Sequence, residues 1–293
     1  MEHLSRLLAL ETTGVAGGVA LCEGGEILEC ASLDPEQRSA RSLAPATRDI
    51  LHKRSWSASD IDVVAVAIGP GSFTGLRVGI ATAKMFAWSV GAFLVGVDSL
   101  DAIAYELDSA FILGRLPEDA RGALISVGLD AQRGDVATRD YWLSRESDGS
   151  SKLYSVERRF RVLSNKKWLG EEYPLVDAAA GEGPKSAEST FPTVSPEMRD
   201  YIAQDGRRNT FFVGEALDRV KNRETLYPNA QVLVPDNWGA SPFGVAGVAG
   251  VALTRVERGL FDNPFTVAPI YSRKAAAEER AIEKARAKAA EEK

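Results

Sequence analysis

Two cysteines and two histidines are all that the 293 residues contain, and that scarcity excludes chemistry before any motif is read. Zinc sites are built from Cys, His and acid ligands at short spacing. His3 and His52 stand alone, neither with a second histidine four residues on, so a zinc peptidase has no ligand set. Cys22 and Cys30 fall on the two strands of an expected hairpin that turns at Gly24-Gly25. With a two-residue turn, Cys22 faces Ile27 and Cys30 faces Val19. That register leaves the thiols about three rungs, roughly 10 Å, apart, too far for a disulfide, and both read as reduced side chains. Long apolar runs are missing as well: the longest, Met85–Val97, is too short to span a bilayer. No basic n-region and apolar h-region open the sequence, so no membrane contact is expected and the cytoplasm is the expected compartment. Positive charge is also scarce. Lys and Arg number 35 against 41 Asp and Glu, a net charge of -6, whereas a protein that binds tRNA unaided needs a basic surface to neutralise phosphates. Only Arg158, Arg159, Arg161, Lys166 and Lys167 gather into a local basic cluster. A serine hydrolase is excluded in the same way, since Ser72 and Ser126 lie in no G-x-S-x-G elbow and have no base nearby in the sequence.

What is present reads as an α/β protein. Arg6–Thr12 is an apolar run ending beside an acid, and Gly17–Glu23 with Glu26–Leu33 forms the hairpin. Residues 37–54 have helical period through Leu43, Thr47, Ile50, Leu51 and Arg54, with Pro45 expected to kink or restart the helix. Residues 61–69 form a strand of small and β-branched residues, as where both faces are covered. A helix over Phe73–Val90, a short strand at Leu94–Val97 and a helix capped by Ser99 follow. Then the pattern restarts. "LLALETTGVAGGVAL" and "LISVGLDAQRGDVAT" are each an apolar strand ending in an acid, a polar turn with glycine, and a second strand. This weak internal repeat points to two lobes of similar build, one over residues 1–105 and one over 106–272. Within the second, 144–205 reads as polar loop or variable surface. Thr210–Gly214 and Gln231–Val234 read as strands, and a helix is expected from Glu215. Ser241-Pro242 opens a helix as N-cap and first residue, and Gly244, Gly247 and Gly250 thin one side of it for close approach. Residues 273–293 are helix-forming by propensity, a charged tail with Ile282 its one apolar anchor.

The stretch "IGPGSFTGLR" at 68–77 asks for a phosphate, being a glycine-rich link from strand to helix. It fails the Walker pattern, because Leu76 and Arg77 stand where Gly-Lys-Ser/Thr would need its lysine and hydroxyl. It fails the dinucleotide pattern, because Gly69, Gly71 and Gly75 are one residue too widely spaced. The helix behind it says more. At 100° per residue, Phe73, Leu76, Ile80, Ala83, Ala87 and Val90 share one sector. Val78, Ala81, Met85 and Trp88 share another nearly opposite, with Gly75 and Gly79 on the flank between and Arg77 and Lys84 as the only charges. One stripe covers a sheet and the other needs a partner. Ser72 or Thr74 can cap the helix, and Gly75 and Gly79 are expected to let a second helix approach.

These residues resemble a known family. "LALETT" at 8–13, "IGPGSFTGLRVGIATAKMFA" at 68–87, "GVDSLDAIA" at 96–104, "DAQRGDV" at 130–136 and "PIYSRKAA" at 269–276 are similar to the TsaB (YeaZ) family. Glu11 and Thr13 stand where that family usually has aspartate and serine, and Ser39-Ala40 where it has His-Ser or His-Thr. The resemblance implies an actin-like ATPase fold (ASKHA, RNase H-like), with two lobes of mixed sheet flanked by helices. It implies a degenerate, non-catalytic subunit of the complex that makes N6-threonylcarbamoyladenosine (t6A) in tRNA, next to the anticodon. The partners implied are TsaD, which carries the catalytic site, the ATPase TsaE, and indirectly TsaC and tRNA. The interface with TsaD would be a helix bundle using about 37–54 and 73–90: Leu43, Thr47, Ile50, Phe73, Gly75, Arg77, Val78, Gly79, Ala81, Met85 and Trp88. No intrinsic cofactor is implied; ATP or ADP would sit at the junction with TsaD. The alternative is an actin-like small-molecule kinase or ATPase, which needs an acid in each lobe and glycine-rich phosphate turns. Glu11 and Asp130 hold the two acidic positions, but the turns after them and the single glycine of "FFVG" are poor phosphate cradles, so both acids read as carboxylates capping strand-end turns. A second copy of the chain could also use the same helix face, giving a homodimer.

Overall fold

The structure, a computed structural model, describes residues 6–14, 17–34, 39–168, 188–205, 209–219, 231–232 and 244–272. The first sheet is built from β1 (Arg6–Glu11), β2 (Gly18–Glu23), β3 (Glu26–Ser32), β4 (Val63–Gly69) and β5 (Phe93–Asp98), in the order β3-β2-β1-β4-β5. The second contains β6 (Gly122–Asp130), β7 (Asp135–Arg145), β8 (Ser151–Ser155), β10 (Thr210–Val213) and β11 (Gln231–Val232), ordered β8-β7-β6-β10-β11, with β9 (Arg161–Ser164) also on β7. In each sheet an antiparallel hairpin is followed by crossovers to parallel strands: β1 pairs β2 antiparallel and β4 parallel, and β6 pairs β7 antiparallel and β10 parallel. The sequence repeat is therefore a topological repeat, and two RNase H-like lobes of this order make the actin-like fold.

The helices are α1 (Ser39–Lys53), α2 (Phe73–Val90), α3 (Ser99–Tyr105), α4 (Ser109–Leu113), α5 (Asn165–Trp168), α6 (Pro196–Asp205) and α7 (Val245–Glu257). β1, β2, β4 and β5 read as near-continuous apolar strands because both faces of the sheet are covered there. On one face Leu43, Ile50 and Leu51 of α1 and Ile80, Ala83 and Ala87 of α2 pack on Leu8, Leu10, Val19, Leu21, Val64 and Val66. On the other, Val245, Val248, Ala249 and Val251 of α7 pack on Leu7, Ala9, Ala20, Val63, Ala65 and Val95. The chain thus returns to the first sheet after building the second. The glycines of α7 do allow close approach: a Cβ on Gly247 would lie 2.0 Å from the Ala102 carbonyl oxygen of α3.

Several local expectations are corrected. α1 runs unbroken through Pro45, because residues on both sides of the proline are anchored to the same sheet and the lost bond lies on the exposed side. Cys22 faces Ile27, but Cys30 faces Ala20 rather than Val19, since a bulge at Leu28 shifts the register by one. Both thiols are free, and burial pushes Cys22 up to about 12. Asp98, not Ser99, caps α3, accepting from the Leu100 and Asp101 amides at 2.8 and 3.2 Å. The polar stretch 144–205 carries β8, β9, α5 and α6, with Trp168 buried and donating to Ser126 Oγ at 2.9 Å. After Gly214 the described start of the helix expected from Glu215 is a 3-10 segment, Glu215–Arg219, and its continuation lies outside the described residues. The Ser241-Pro242 helix start and the 273–293 tail lie outside the described residues.

The lobes are joined by a buried ionic cluster. Arg139 of β7, fully buried, donates to Asp101 Oδ1 at 2.8 Å and to Asp98 Oδ2 at 3.2 Å. Tyr141 and Ser189 add hydroxyl donors to Asp101 Oδ1 at 2.7 and 2.8 Å, and the Thr190 amide donates to its Oδ2. Burial raises Asp98 to about 6, against the opposing pull of Arg139. Removing one partner from such a group strands the others without compensation. Arg139→Met is expected to cost about 3–5 kcal/mol, read as a lowered urea midpoint, while Tyr141→Phe, which removes one bond to a charged acceptor, costs about 1.5–3 kcal/mol. Equal midpoints for wild type and Arg139→Met would contradict this assignment.

The second constraint is steric. A Cβ on Gly75 would sit 1.9 Å from the Thr12 carbonyl oxygen, and one on Gly79 would sit 2.3 Å from Thr12 Oγ1. Gly75→Ala must push α2 off the end of β1, and a loss of about 1–3 kcal/mol is expected, measurable by the same denaturation.

Candidate functional site: an exposed helix face beside a closed cleft

The loop between β4 and α2 is held from three sides. Ser72 caps α2, its Oγ accepting from the Gly75 amide at 3.3 Å, and the Ser72 amide donates to the Thr13 carbonyl. Thr12 Oγ1 donates to the Gly75 carbonyl at 2.8 Å. The C-terminal segment closes the third side: the Ile270 amide donates to the Ile68 carbonyl, and a Cβ on Gly69 would meet the Ile270 carbonyl oxygen at 2.3 Å. Tyr271 stacks on Phe73 with ring centroids 4.7 Å apart, while Arg77 lies over the Phe73 ring and donates through Nε to the Tyr271 hydroxyl at 3.0 Å. The stretches 68–77 and 269–271, far apart in sequence, form one surface.

The two stripes of α2 have separate fates. Leu76, Ile80, Ala83 and Ala87 are buried on the sheet. On the other side Ala81 is exposed, Val78 half-buried, and Met85 and Trp88 are 61% and 73% exposed. Phe73, which the spacing puts in the sheet-facing sector, instead extends this exposed stripe with Arg77 because its ring stacks on Tyr271 at the surface. Gly75 and Gly79 are not part of it. They are buried, and the neighbour they admit is Thr12 of the same chain, not a second helix. Leu43 and Ile50 are likewise turned into the core, and Thr47 is buried with its hydroxyl donating to the Leu43 carbonyl. Of the residues named from sequence as an interface, Phe73, Arg77, Val78, Ala81, Met85 and Trp88 share the accessible face; Leu43, Thr47, Ile50, Gly75 and Gly79 support it from beneath. Tyr271 was not named, because nothing in its sequence position says which loop it would meet.

The interlobe cleft is where an actin-like kinase would work. Glu11 is buried, and its carboxylate is consumed by its own turn: Oε1 accepts from the Thr13 amide at 2.6 Å, from the Thr13 hydroxyl, and from the Gly14 amide at 3.0 Å. Burial pushes the Glu11 carboxyl up against these bonds. Asp130 Oδ1 accepts from the Gln132 amide at 2.9 Å, capping the turn in which Gln132 and Arg133 take φ of 65° and 54°. Glu106 brings a further carboxylate, accepting from the Gly244 and Gly247 amides at 3.1 and 2.5 Å. Among the described residues, the cavity beside Glu11, lined by Thr13, Ala67, Ile103, Leu129 and Val248, holds about 40 Å³. That is space for a water or so.

Other candidates do not converge. No group of three or more His, Cys, Asp and Glu able to hold a metal occurs among the described residues. Ser72 is a helix cap, and Ser126 is buried against Trp168 and Thr138. The basic cluster is divided: Arg161 is buried with Asp140 and Glu157, and Arg159 pairs with Glu188. Arg158 and Lys167 remain exposed.

Comparison with known proteins agrees with this geometry. Residues 34–137 match the family model described as TsaD, tRNA N6-adenosine threonylcarbamoyltransferase. The chain is 30% identical over 171 residues to the tRNA threonylcarbamoyladenosine biosynthesis protein TsaB of Escherichia coli, covering 56% of this chain and 69% of that protein. It is 34% identical over 136 residues to the Bacillus subtilis TsaB, covering 46% and 54% respectively. YeaZ from Pseudomonas aeruginosa has the same fold, with a TM-score of 0.59 at 21% identity over 91% of this chain and 99% of that one. With a TsaB relative at that identity and coverage, the same two-lobed fold and the "IGPGSFTGLR" loop in place, the chain belongs to the TsaB family.

Proposed function

We propose that this chain serves t6A synthesis in tRNA as a non-catalytic subunit that binds and activates a TsaD subunit in the cytoplasm. The observation that carries this reading is the α2 face. An exposed Met85 and Trp88 sit on a rigid helix whose opposite side is locked to the sheet, and large aromatic and sulfur side chains of this kind anchor interfaces. The closed cleft beside Glu11 supports the non-catalytic part: its acids are engaged by their own turns and it offers little volume. In this reading TsaD supplies the catalytic site, nucleotide sits at the junction of the two subunits, TsaE docks on the pair, and TsaC delivers the activated threonylcarbamoyl group. Direct tRNA contact is left to the partners, in keeping with the net charge of -6. The kinase reading finds no comparable support in the geometry of the cleft.

Two experiments test it. Trp88→Glu places a charge at the C-terminal end of the stripe, on its most exposed large apolar side chain, and should weaken TsaD binding by at least about 30-fold, the equivalent of about 2 kcal/mol. Because Trp88 is 73% exposed, its urea midpoint should stay near that of wild type. Undiminished co-purification with TsaD would remove the helix face from the proposal. In a reconstitution with TsaC, TsaD, TsaE, tRNA, threonine, bicarbonate and ATP, nucleoside mass spectrometry should detect t6A only when this chain is added. Product independent of the chain would refute the subunit role.

A further inference from the structure

The outer edge of the first sheet presents a second recognition surface, away from the α2 stripe. β3 is the edge strand. The Leu33 amide donates to the Gly17 carbonyl at 2.7 Å, and β2 and β3 stay in one register from Gly18↔Ser32 to Leu21↔Glu29. Antiparallel pairs alternate between bonded and non-bonded. Ala31 and Glu29 therefore turn their backbone groups toward β2, while Ser32 and Cys30 turn theirs away from the sheet. One step further, the Leu28 carbonyl is already taken by the Arg54 guanidinium at 2.7 Å. The open edge is thus the short run Cys30–Ser32.

Beside this run lies a groove of about 430 Å³ between β3 and α1, lined by Glu29, Ser32, Arg41, Ser42, Pro45 and Lys53 among others. Two features of the groove are unsatisfied. Ser42 is 94% buried (6% exposed), yet its hydroxyl has no hydrogen-bond partner among the described residues. Pro45 has no N–H, so the Arg41 carbonyl lacks the donor that an ordinary helix would give it. The charges are uneven. Glu29 is held by Lys53 and Arg54, Asp49 by Arg48, and Asp34 is engaged as well. The exposed Arg41 guanidinium has no ion pair among the described residues.

We infer that β3 and α1 together form a docking site for an extended peptide bearing an acidic side chain, added to the sheet as a sixth strand. Backbone groups of Cys30 and Ser32 supply the pairing, which gives affinity without sequence preference, and the groove supplies preference at alternate side chains. Directly opposed residues on neighbouring strands share a face. Ala31 opposes Val19, whose side chain is in the core beneath α1. The peptide residue opposite Ala31 therefore points into the groove, where a carboxylate meets the exposed Arg41 guanidinium. This inference does not depend on the proposed binding of TsaD.

The test uses the full chain and a fluorescein-labelled peptide, acetyl-Thr-Val-Glu-Val-Thr-Thr amide, read by anisotropy. Saturable binding is expected. Lysine in place of the central glutamate should weaken it by about tenfold or more. N-methylation of alternate peptide amides should abolish it, a control that leaves the protein untouched. Arg41→Glu should reverse the preference to the lysine peptide, Ser32→Pro should abolish binding by removing an outward N–H, and Trp88→Glu should bind as wild type does. The inference fails if no binding saturates by about 1 mM peptide, a bound on any useful affinity, or if N-methylation or the charge swap makes no difference. It also fails if sedimentation shows a dimer that Ser32→Pro dissociates, since the edge would then belong to a second copy of the chain.

Discussion

One guanidinium from the second lobe meets two carboxylates from the first. Arg139, Asp98 and Asp101 lie almost wholly out of water, with Tyr141, Ser189 and Thr190 completing the acceptors of Asp101. Such a group adds little net stability over an apolar replacement, because desolvating three charges is costly. What it fixes is geometry. The cation comes from β7, the acids from the start of α3, and Ser189 and Thr190 from the segment that leads into α6. Together they tie β7 of the second lobe to α3 of the first.

The same helix, α3, lines the cavity beside Glu11 through Ser99, Ala102 and Ile103. An actin-like kinase separates its lobes around a nucleotide, with strand-end acids facing phosphate turns. Here Glu11 is folded onto its own turn, Glu106 is spent on the amides that open α7, and the space between is a few tens of cubic ångströms. Beside this joint the chain displays two surfaces. α2 is the clearest of them, locked on its inner side by Ile80, Ala83, Ala87 and the Thr12–Gly75 contact, and apolar on its outer side. The edge of β3 is a second, open at Cys30–Ser32 because β3 ends the described sheet and Cys30 and Ser32 turn their backbone groups away from β2.

Much of this was legible in the sequence, because it rests on local periodicity. The order of strands and helices follows from runs such as Val63–Gly69 and from the hairpin glycines, and the two stripes of α2 follow from 3.6-residue spacing. The resemblance to the TsaB family rests on contiguous motifs that need no structure to read. The weakly patterned stretch 144–205 misled for the opposite reason. Its strands are short and polar on their outer sides, so the signal that would separate them from loop is faint, and only pairing with β7 defines them.

The sequence by itself determined the two-lobed repeat, the family, and the fact that one side of α2 had no covering within its own pattern. Tertiary structure alone decided which glycine neighbours which backbone. Gly75 and Gly79 are spaced as if for a helix, yet they receive Thr12. It also decided that Leu43 and Ile50 face inward, that Tyr271 joins Phe73 and Arg77 across 194 residues, and that Arg139 is the joint between lobes. The reason is physical. Periodicity reports that a side chain is buried or exposed, but a charge in a strand such as Arg139 gives no sign of its partner. Its two acids lie about forty residues away on another lobe, and only the folded chain brings them within hydrogen-bond distance.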